Sequence, residues 1–362
     1  MWSVAAALAP AAVFAGYVFG CRAYLHIGLA VATAVGAEAV ITYLRFHRRS
    51  RDGVKATWWR RSGMTIGDGS AVVTGLLVAF CLPAQARWFV PVVAAGVAIA
   101  IAKQAFGGLG CNIWNPALVG RAFVHVSFPT DMNPAAYPVL TGHHFLGNVG
   151  TAVGGMAGGA DAVTGASPMA MAKSIATQGY ADVDVLKVLT EGHGRGLWDM
   201  FVGTVGGDLG ETSALLLLVG AAYLIYKGWI RWQVPLAYLG TVAAGALLLP
   251  LYLAGGEGGA ESAAWQPILL AMPDAALRFV LWHLLGGGLM LGALYMATDM
   301  VTSPLTNKGL WIFGAGCGVL TILFRLYSHA YPEGVCYSIL LMNTAVPLID
   351  RWTRPRIFGH KR

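Results

Sequence analysis

The stretch Gly107-Gly-Leu-Gly-Cys-Asn-Ile-Trp-Asn-Pro-Ala-Leu-Val-Gly-Arg-Ala-Phe123 interrupts a long apolar region of the chain. Its glycines permit tight backbone paths, and Asn115 before Pro116 is a typical N-cap before the first residue of a helix. Arg121 follows within the apolar part, where a buried cation is costly and is usually functional or paired. The stretch therefore predicts a broken or half-helix at a functional site in a membrane. A re-entrant turn that only packs is the alternative.

The composition of the whole chain is that of a membrane protein. Of its 362 residues, 57% are hydrophobic and 11% are charged, whereas soluble domains carry about 25% charged residues. The net charge of +7 is explained by basic loops that set membrane orientation, so we expect no nucleic-acid partner. The five cysteines, including Cys111, have neither the spacing of a metal site nor that of a disulfide framework.

Apolar segments long enough to cross a membrane recur along the chain. A spanning helix needs about 20 mostly apolar residues, and about ten segments qualify. We therefore predict an all-α polytopic protein. The predicted spans are residues 3–20, 26–44, 69–86, 88–106, 112–128, 205–227, 232–253, 278–297, 309–326 and 334–350. The first lacks the basic start of a signal peptide and is predicted to be retained.

Basic residues concentrate on one side of this topology. That side carries Arg45, Arg48, Arg49, Arg51, Lys55, Arg60 and Arg61 in one loop, Arg351, Arg354, Arg356, Lys361 and Arg362 in the tail, and Lys103, Lys227, Arg231 and Lys308. Because cytoplasmic loops are enriched in Lys and Arg, both termini are predicted to be cytoplasmic. Residues 129–204 then lie on the outer face.

Two pentapeptides suggest an internal repeat. Arg87-Trp-Phe-Val-Pro91 and Arg231-Trp-Gln-Val-Pro235 differ only at the third position, and each precedes an apolar span. In the predicted topology the two copies run oppositely, as in the inverted repeats of many transporter folds. Chance recurrence of a short apolar motif is the alternative. We predict a first transmembrane repeat at 1–128, an outer segment at 129–204, a second repeat at 205–350 and a basic cytoplasmic tail at 351–362.

Carboxylates mark the start of the second repeat. Asp208 and Glu211 belong to Gly207-Asp-Leu-Gly-Glu-Thr-Ser213, which opens the sixth predicted span. Capping of the helix N-terminus is the favoured interpretation, since the helix dipole stabilises carboxylates there. A role in ion entry is left open.

One further motif lies in the outer segment, at Asp161-Ala-Val-Thr-Gly-Ala-Ser-Pro168. On residue types alone it is an ordinary surface turn. No base lies beside Ser167 within the run, so self-catalysed acyl chemistry is not expected. A serine hydroxyl in an exposed segment can instead accept a phosphoryl-linked group from a separate enzyme.

Three segments together resemble a known family. GGLGCNIWNPALVGRAF, DAVTGASPMA and GDLGETSALLLLVGAAYLI are similar to the RnfD subunit of the Rnf electron-transport complex. They also resemble the B-type subunit of the Na⁺-translocating NADH:quinone reductase, which carries a long extra N-terminal region. The present chain enters its first span at once, which favours the Rnf-type subunit.

The resemblance implies a redox subunit of a ferredoxin:NAD oxidoreductase complex that transports Na⁺ or H⁺, with the other Rnf subunits as partners. It implies FMN joined by a phosphoester to Ser167, with Asp161, Thr164, Gly165 and Ala166 completing the motif, and installed by a flavin transferase. Most relatives have Thr at this position. It also implies a second, non-covalent flavin, riboflavin, within the spans. The location that it implies is a bacterial inner membrane, with residues 129–204 on the periplasmic face. A stand-alone transporter or channel and a structural anchor are the alternatives.

Overall fold

Helices dominate the computed structural model, which describes residues 1–50, 67–132, 137–140, 162–165, 197–203, 207–211, 213–253, 264–271, 273–328 and 334–354. The first half contains α1 (Trp2–Phe19), α2 (Cys21–Ser50), α3 (Ser70–Phe80), α4 (Phe89–Val97), which continues as a π-helix (Ala98–Gln104), and α5 (Pro116–Ser127). The second half contains α6 (Leu197–Val202), a 3₁₀ turn (Leu209–Glu211), α7 (Ala214–Tyr226), α8 (Gln233–Leu248), α9 (Ile268–Ala271), α10 (Pro273–Leu285), α11 (Leu289–Leu291), which continues as a π-helix (Gly292–Met296), α12 (Asn307–Tyr327) and α13 (Val335–Thr353).

The apolar helices agree with a multi-pass membrane protein. Trp2–Phe19, Cys21–Arg45 and Asn307–Tyr327 are long and apolar enough to cross a membrane, and the bent pair Ala276–Leu285 and Leu289–Met296 makes a fourth candidate span. Shorter apolar helices occupy four other predicted spans: Ser70–Phe80, Phe89–Gln104, Ala214–Tyr226 and Gln233–Leu248. The count of ten spans, their orientation and the four-part division of the chain stay predictions.

Two short antiparallel hairpins were not predicted. β1 (Tyr137–Leu140) pairs with β2 (Ala162–Gly165), and β3 (Pro250–Leu253) pairs with β4 (Ala264–Pro267). The second hairpin shortens the span predicted at 232–253, because helix α8 ends at Leu248 and Leu249 is extended. Pro250 explains the change, since a proline disfavours helical backbone at the residue before it.

Both π-helices lead into a loop and then into a helix capped by a side chain. After Ala98–Gln104, the Asn115 side chain accepts a hydrogen bond from Ala117 N at 3.0 Å, and α5 begins at Pro116 as predicted. After Gly292–Met296, the Thr306 hydroxyl accepts from Gly309 N at 3.0 Å at the start of α12. The two pentapeptides also open helices in the same register, at Phe89 and Gln233. These parallels support the repeat hypothesis.

Small residues allow close helix packing in the interior. A Cβ atom added at Gly75 would lie 2.7 Å from the Val31 Cα atom and 3.0 Å from the Ala30 carbonyl oxygen. Both neighbours are backbone atoms of α2, so helices α2 and α3 approach closely only because position 75 is glycine. This use of glycine is typical of membrane helices.

We expect Gly75→Ala to destabilise the protein, because the added methyl group would force α2 and α3 apart. Overpacking of this kind costs about 1–3 kcal/mol. Gly240→Ala is the matched control: it is also a helical glycine, and nothing lies within 4 Å of its added Cβ atom. The thermal unfolding midpoint in detergent should fall for Gly75→Ala and be unchanged or higher for Gly240→Ala. Equal midpoints would contradict this account of the packing.

Candidate functional site

A buried ion pair joins the two halves of the chain. The Arg121 guanidinium lies 2.8 Å from the Asp208 carboxylate, and the two side chains are 11% and 1% exposed. Backbone contacts hold the same place together: Pro83 forms a β-bridge with Asp208, and Leu209 N donates to Leu82 O at 3.0 Å. We call this the Asp208 junction. Arg121 is thus paired, which is one of the two outcomes expected for a buried cation in a span.

The capping role predicted for Asp208 and Glu211 was wrong. Helix α7 begins only at Ala214, and Ser213 caps it by accepting a hydrogen bond from Leu216 N at 3.3 Å. A 3₁₀ turn at Leu209–Glu211 separates the two carboxylates from that helix start. The Asp208 carboxylate therefore faces Arg121 instead.

The Glu211 carboxylate lies beside Gly288, at the break between α10 and α11. A Cβ atom added at Gly288 would come 3.1 Å from the Glu211 Oε1 atom, so glycine leaves room for the carboxylate. Gly288 has φ +64° and precedes Leu289–Met296, the second half of the broken span. A carboxylate near the first turn of a helix is electrostatically favourable.

The break itself is stabilised by a cation on a neighbouring helix. The two halves of the span meet at 65°, with Gly286 and Gly287 between them. Arg325 of α12 donates to the carbonyl oxygens of His283, Gly286 and Gly287, the last two at 2.8 and 3.0 Å. The guanidinium thus satisfies carbonyl groups that a broken helix leaves without intrahelical donors. The Arg325 side chain is itself buried.

Buried amides form a second connection, which we call the Asn115 junction. Asn115 Nδ2 donates to the Met296 carbonyl oxygen at 3.1 Å. With its amide oriented to match its neighbours, Asn343 donates to Thr302 O and accepts from Asn115 N, each at 3.2 Å. Asn115, Thr302 and Asn343 are all buried. The loop before α5 and the loop before α12 are therefore joined by buried hydrogen bonds.

Asn115→Ala is expected to weaken this junction by about 1–3 kcal/mol, because it removes the helix cap and leaves the Met296 carbonyl oxygen without this donor. Asn115→Ser separates the two roles, since serine is also a good N-cap but is too short to replace the amide donor. The unfolding midpoint should follow the order wild type, Asn115→Ser, Asn115→Ala. Midpoints that do not differ between the two variants would show that capping is unimportant here.

A further ion pair joins Arg87 to Asp131. Arg87 donates through Nε and NH2 to both carboxylate oxygens of Asp131, at 2.9 and 2.8 Å. These hydrogen bonds raise the pKa of the Arg87 guanidinium. The Arg87 side chain is 61% exposed and that of Asp131 is 10% exposed, so the cation of this pair is open to solvent, whereas both partners at Arg121 are buried.

Most of the predicted flavin motif lies outside the described residues. Asp161, Ala166 and Ser167 are not among them. Thr164 and Gly165 end strand β2, where their Cα partners in β1 are Pro138 and Tyr137. The attachment at Ser167 therefore stays a prediction.

An apolar cavity of about 420 Å³ lies between α5, α12 and α13. It is lined by Trp114, Val119, Ala122, Phe324, Tyr337, Leu340, Leu341 and Thr344. The polar atoms of its lining are already engaged: Trp114 Nε1 donates to the Thr344 hydroxyl, and the Tyr337 hydroxyl contacts His125. A bound riboflavin would leave its carbonyl and ribityl groups without partners there, which is costly. The cavity does not fit the predicted second flavin.

No metal centre emerges from the described part of the chain, where no three His, Cys, Asp or Glu side chains come together. Cys111 is exposed in the glycine-rich loop.

Sequence reasoning did miss one buried charged pair, Glu38 with Lys103. A single glutamate within an apolar span was the signal that could have identified it.

A broken helix, buried amide contacts and buried ion pairs within an apolar helical bundle indicate a multi-pass membrane protein with a few polar contacts in its apolar interior. The chain belongs to the NQR2, RnfD, RnfE family, whose sequence profile matches residues 1–359. The predicted family resemblance is thereby confirmed.

Three relatives, each the D subunit of its complex, are similar over nearly their whole length. The relative from the Na⁺-translocating ferredoxin:NAD⁺ oxidoreductase complex of Acetobacterium woodii is 41% identical over 361 residues, covering 99% of this chain and 90% of the relative. The relative from the proton-translocating ferredoxin:NAD⁺ oxidoreductase complex of Clostridium ljungdahlii is 41% identical, covering 100% and 92%. The relative from the ion-translocating oxidoreductase complex of Stutzerimonas stutzeri is 36% identical, covering 99% and 91%.

Proposed function

We propose that this chain is the flavin-bearing membrane subunit of an Rnf-type, ion-translocating ferredoxin:NAD⁺ oxidoreductase complex. The observation that carries the proposal is the near full-length similarity to relatives named as the D subunits of such complexes. The other subunits of the complex are its partners. The chain is one part of a redox-driven translocase and is not catalytically complete alone.

Ser167 is the proposed attachment point of FMN. Its hydroxyl oxygen forms the phosphoester bond, the hydroxyl proton is released, and AMP leaves when FAD is the donor and a flavin transferase catalyses the step. The chemistry of the residue fits, because serine supplies the same oxygen nucleophile as the threonine that the family resemblance implies at this position. Thr164 and Gly165 of the motif lie in strand β2, which pairs with β1.

The FMN supplies electron transfer, and the protein supplies its position. In the predicted topology the Ser167 segment is periplasmic, on the far side of the membrane from soluble NAD(H). The subunit is therefore proposed as a relay that carries out neither ferredoxin nor NAD chemistry itself. A second, non-covalent riboflavin within the spans completes the proposal, without residues assigned to it.

Mass spectrometry of the peptide that holds residues 161–173 tests the proposal. Protein purified from its native membrane should carry the mass of FMN on Ser167, with the phosphate retained. An unmodified Ser167 in a preparation that contains covalent flavin elsewhere would refute the site. A protein with no flavin that conducts solute when reconstituted alone would instead support the stand-alone transporter.

A further inference from the structure

Two exposed cations and two exposed tryptophans lie together where α8 and α12 begin. The rings of Trp232 and Trp311 meet edge to face, with their centroids 5.9 Å apart. Arg231 NH1 donates to the Leu305 carbonyl oxygen at 3.0 Å, which brings the guanidinium to the start of α12. Lys308 lies on the same face of α12 as Trp311, three residues earlier. We call Arg231, Trp232, Lys308 and Trp311 the Arg231 patch; all four are exposed.

The two helices that carry the patch lie side by side and run in the same direction. A Cβ atom added at Gly314 would come 2.7 Å from the Val234 carbonyl oxygen, and one added at Gly245 would come 2.7 Å from the Ile322 Cγ2 atom. The starts of α8 and α12 are therefore adjacent at one end of the bundle, on the side predicted to be cytoplasmic. The positive ends of both helix dipoles add to the potential of the two cations there.

The positive charge of the patch is not balanced by a neighbouring carboxylate. Neither Arg231 nor Lys308 forms an ion pair within the part of the chain that the structure describes. Asp350 lies close by, and its Oδ1 atom accepts a hydrogen bond from Leu305 N at 3.1 Å. The exposed cations Arg351 and Arg354 follow Asp350 in the chain. This end of the bundle therefore attracts anions.

An exposed apolar strip continues from the patch along α8. Trp232, Leu236, Gly240, Ala244 and Leu248 recur every four residues, and all are exposed. No atom lies within 4 Å of a Cβ atom added at Gly240, so the middle of the strip has room for a bound chain. Tryptophan is enriched at the level of the lipid headgroups. The arrangement of cations, then tryptophans, then an apolar strip matches a ligand whose anionic head is joined to an apolar tail.

We propose that the Arg231 patch is a binding site for an anionic phospholipid. Arg231 and Lys308 bind the phosphate of the headgroup, Trp232 and Trp311 pack against the glycerol region, and one acyl chain lies along the α8 strip. Arg231 suits this role because a guanidinium has five N–H donors, so four remain beyond the one bonded to Leu305 O. An acidic protein surface would satisfy the cations but has no use for the apolar strip. The site goes beyond the proposed function and does not depend on flavin at Ser167.

The test follows the thermal unfolding midpoint of the purified complex in detergent as phosphatidylglycerol replaces phosphatidylcholine at constant total lipid. A ligand that binds only the folded state raises this midpoint. Each cation near a membrane surface strengthens binding to anionic lipid about fivefold, so Lys308→Gln should need about fivefold more phosphatidylglycerol than wild type for half of the rise. Arg231→Gln/Lys308→Gln should need about 25-fold more. Lys308→Gln is the more informative variant, because Lys308 has no hydrogen bond or ion pair to another described residue that its loss would break.

Arg278→Gln is the matched control, because Arg278 is an exposed cation on α10, outside the patch, and the variant should respond to phosphatidylglycerol like wild type. Equal midpoints of wild type in the two lipids would overturn the proposal, as would an equal phosphatidylglycerol requirement in Lys308→Gln and Arg278→Gln. Inorganic phosphate tests the headgroup alone; if it protects wild type as well as the lipid does, the patch binds free anions and the lipid assignment is wrong. Loss of a soluble subunit from the Lys308→Gln complex, with an unchanged lipid response, would assign the patch to an acidic protein surface instead.

Discussion

Ser167→Ala will remove the covalent flavin from the protein, and its band in a denaturing gel will lose flavin fluorescence under ultraviolet light. Alanine lacks the oxygen atom through which a phosphoester forms, so the expected loss is complete. The flavin fluorescence of the band remains after denaturation only when the flavin is covalently bound. It therefore separates FMN at this site from a non-covalent flavin, which is lost during electrophoresis.

Two matched variants define what the loss means. Ser167→Thr keeps the hydroxyl and should retain fluorescence. Thr164→Ala removes the other hydroxyl of the motif, in strand β2, and should leave the attachment at Ser167 in place. If fluorescence instead survives in Ser167→Ala and disappears in Thr164→Ala, the flavin is attached to Thr164 and the Ser167 assignment is wrong.

Arg121→Met will strongly destabilise the protein, because it leaves the Asp208 carboxylate buried without its cation. Removing one partner of a buried ion pair costs about 3–5 kcal/mol. Asp208→Asn should have a similar effect, since it leaves the guanidinium without its counterion. We expect a large fall in the unfolding midpoint in detergent and a lower yield from membranes.

The double variant Arg121→Gln/Asp208→Asn tests whether the loss of stability comes from an unpaired charge or from a changed side-chain shape. It removes both charges and keeps groups that hydrogen-bond, so it should be more stable than either charge-breaking single variant. Arg87→Met is the comparison variant and should lower the midpoint less, because the Arg87 side chain is 61% exposed and its pairing with Asp131 is partly screened by water. Single variants no less stable than Arg87→Met would mean that the Asp208 junction does not hold the halves together.

Local chemistry allowed part of the site to be predicted from sequence. The helix start at Pro116 follows from its own residue and from Asn115, which are adjacent in the chain. The need of Arg121 for a partner follows from its apolar surroundings. Its partner Asp208 was not predictable, because the contact depends on how Leu82 and Leu209 meet in three dimensions.

Other features depend on contacts that no sequence pattern carries. Asp208 and Ser213 are both good capping residues, and the intervening 3₁₀ turn decides between them. Burial of Arg325 depends on the bend that brings the Gly286 and Gly287 carbonyls to it. The early end of the helix before hairpin β3–β4 could have been predicted from sequence, because Pro250 alone disfavours helical backbone at Leu249.

The two junctions also constrain the order in which the protein can be built. Leu82 and Asn115 emerge from the ribosome long before Leu209 and Met296, the residues whose backbones they bind. The contacts between the two halves therefore form only after the second half has been translated. Until then, the helices of the first half lack these partners. A chain truncated after residue 128 would lack the residues that Leu82, Asn115 and Arg121 contact in the second half.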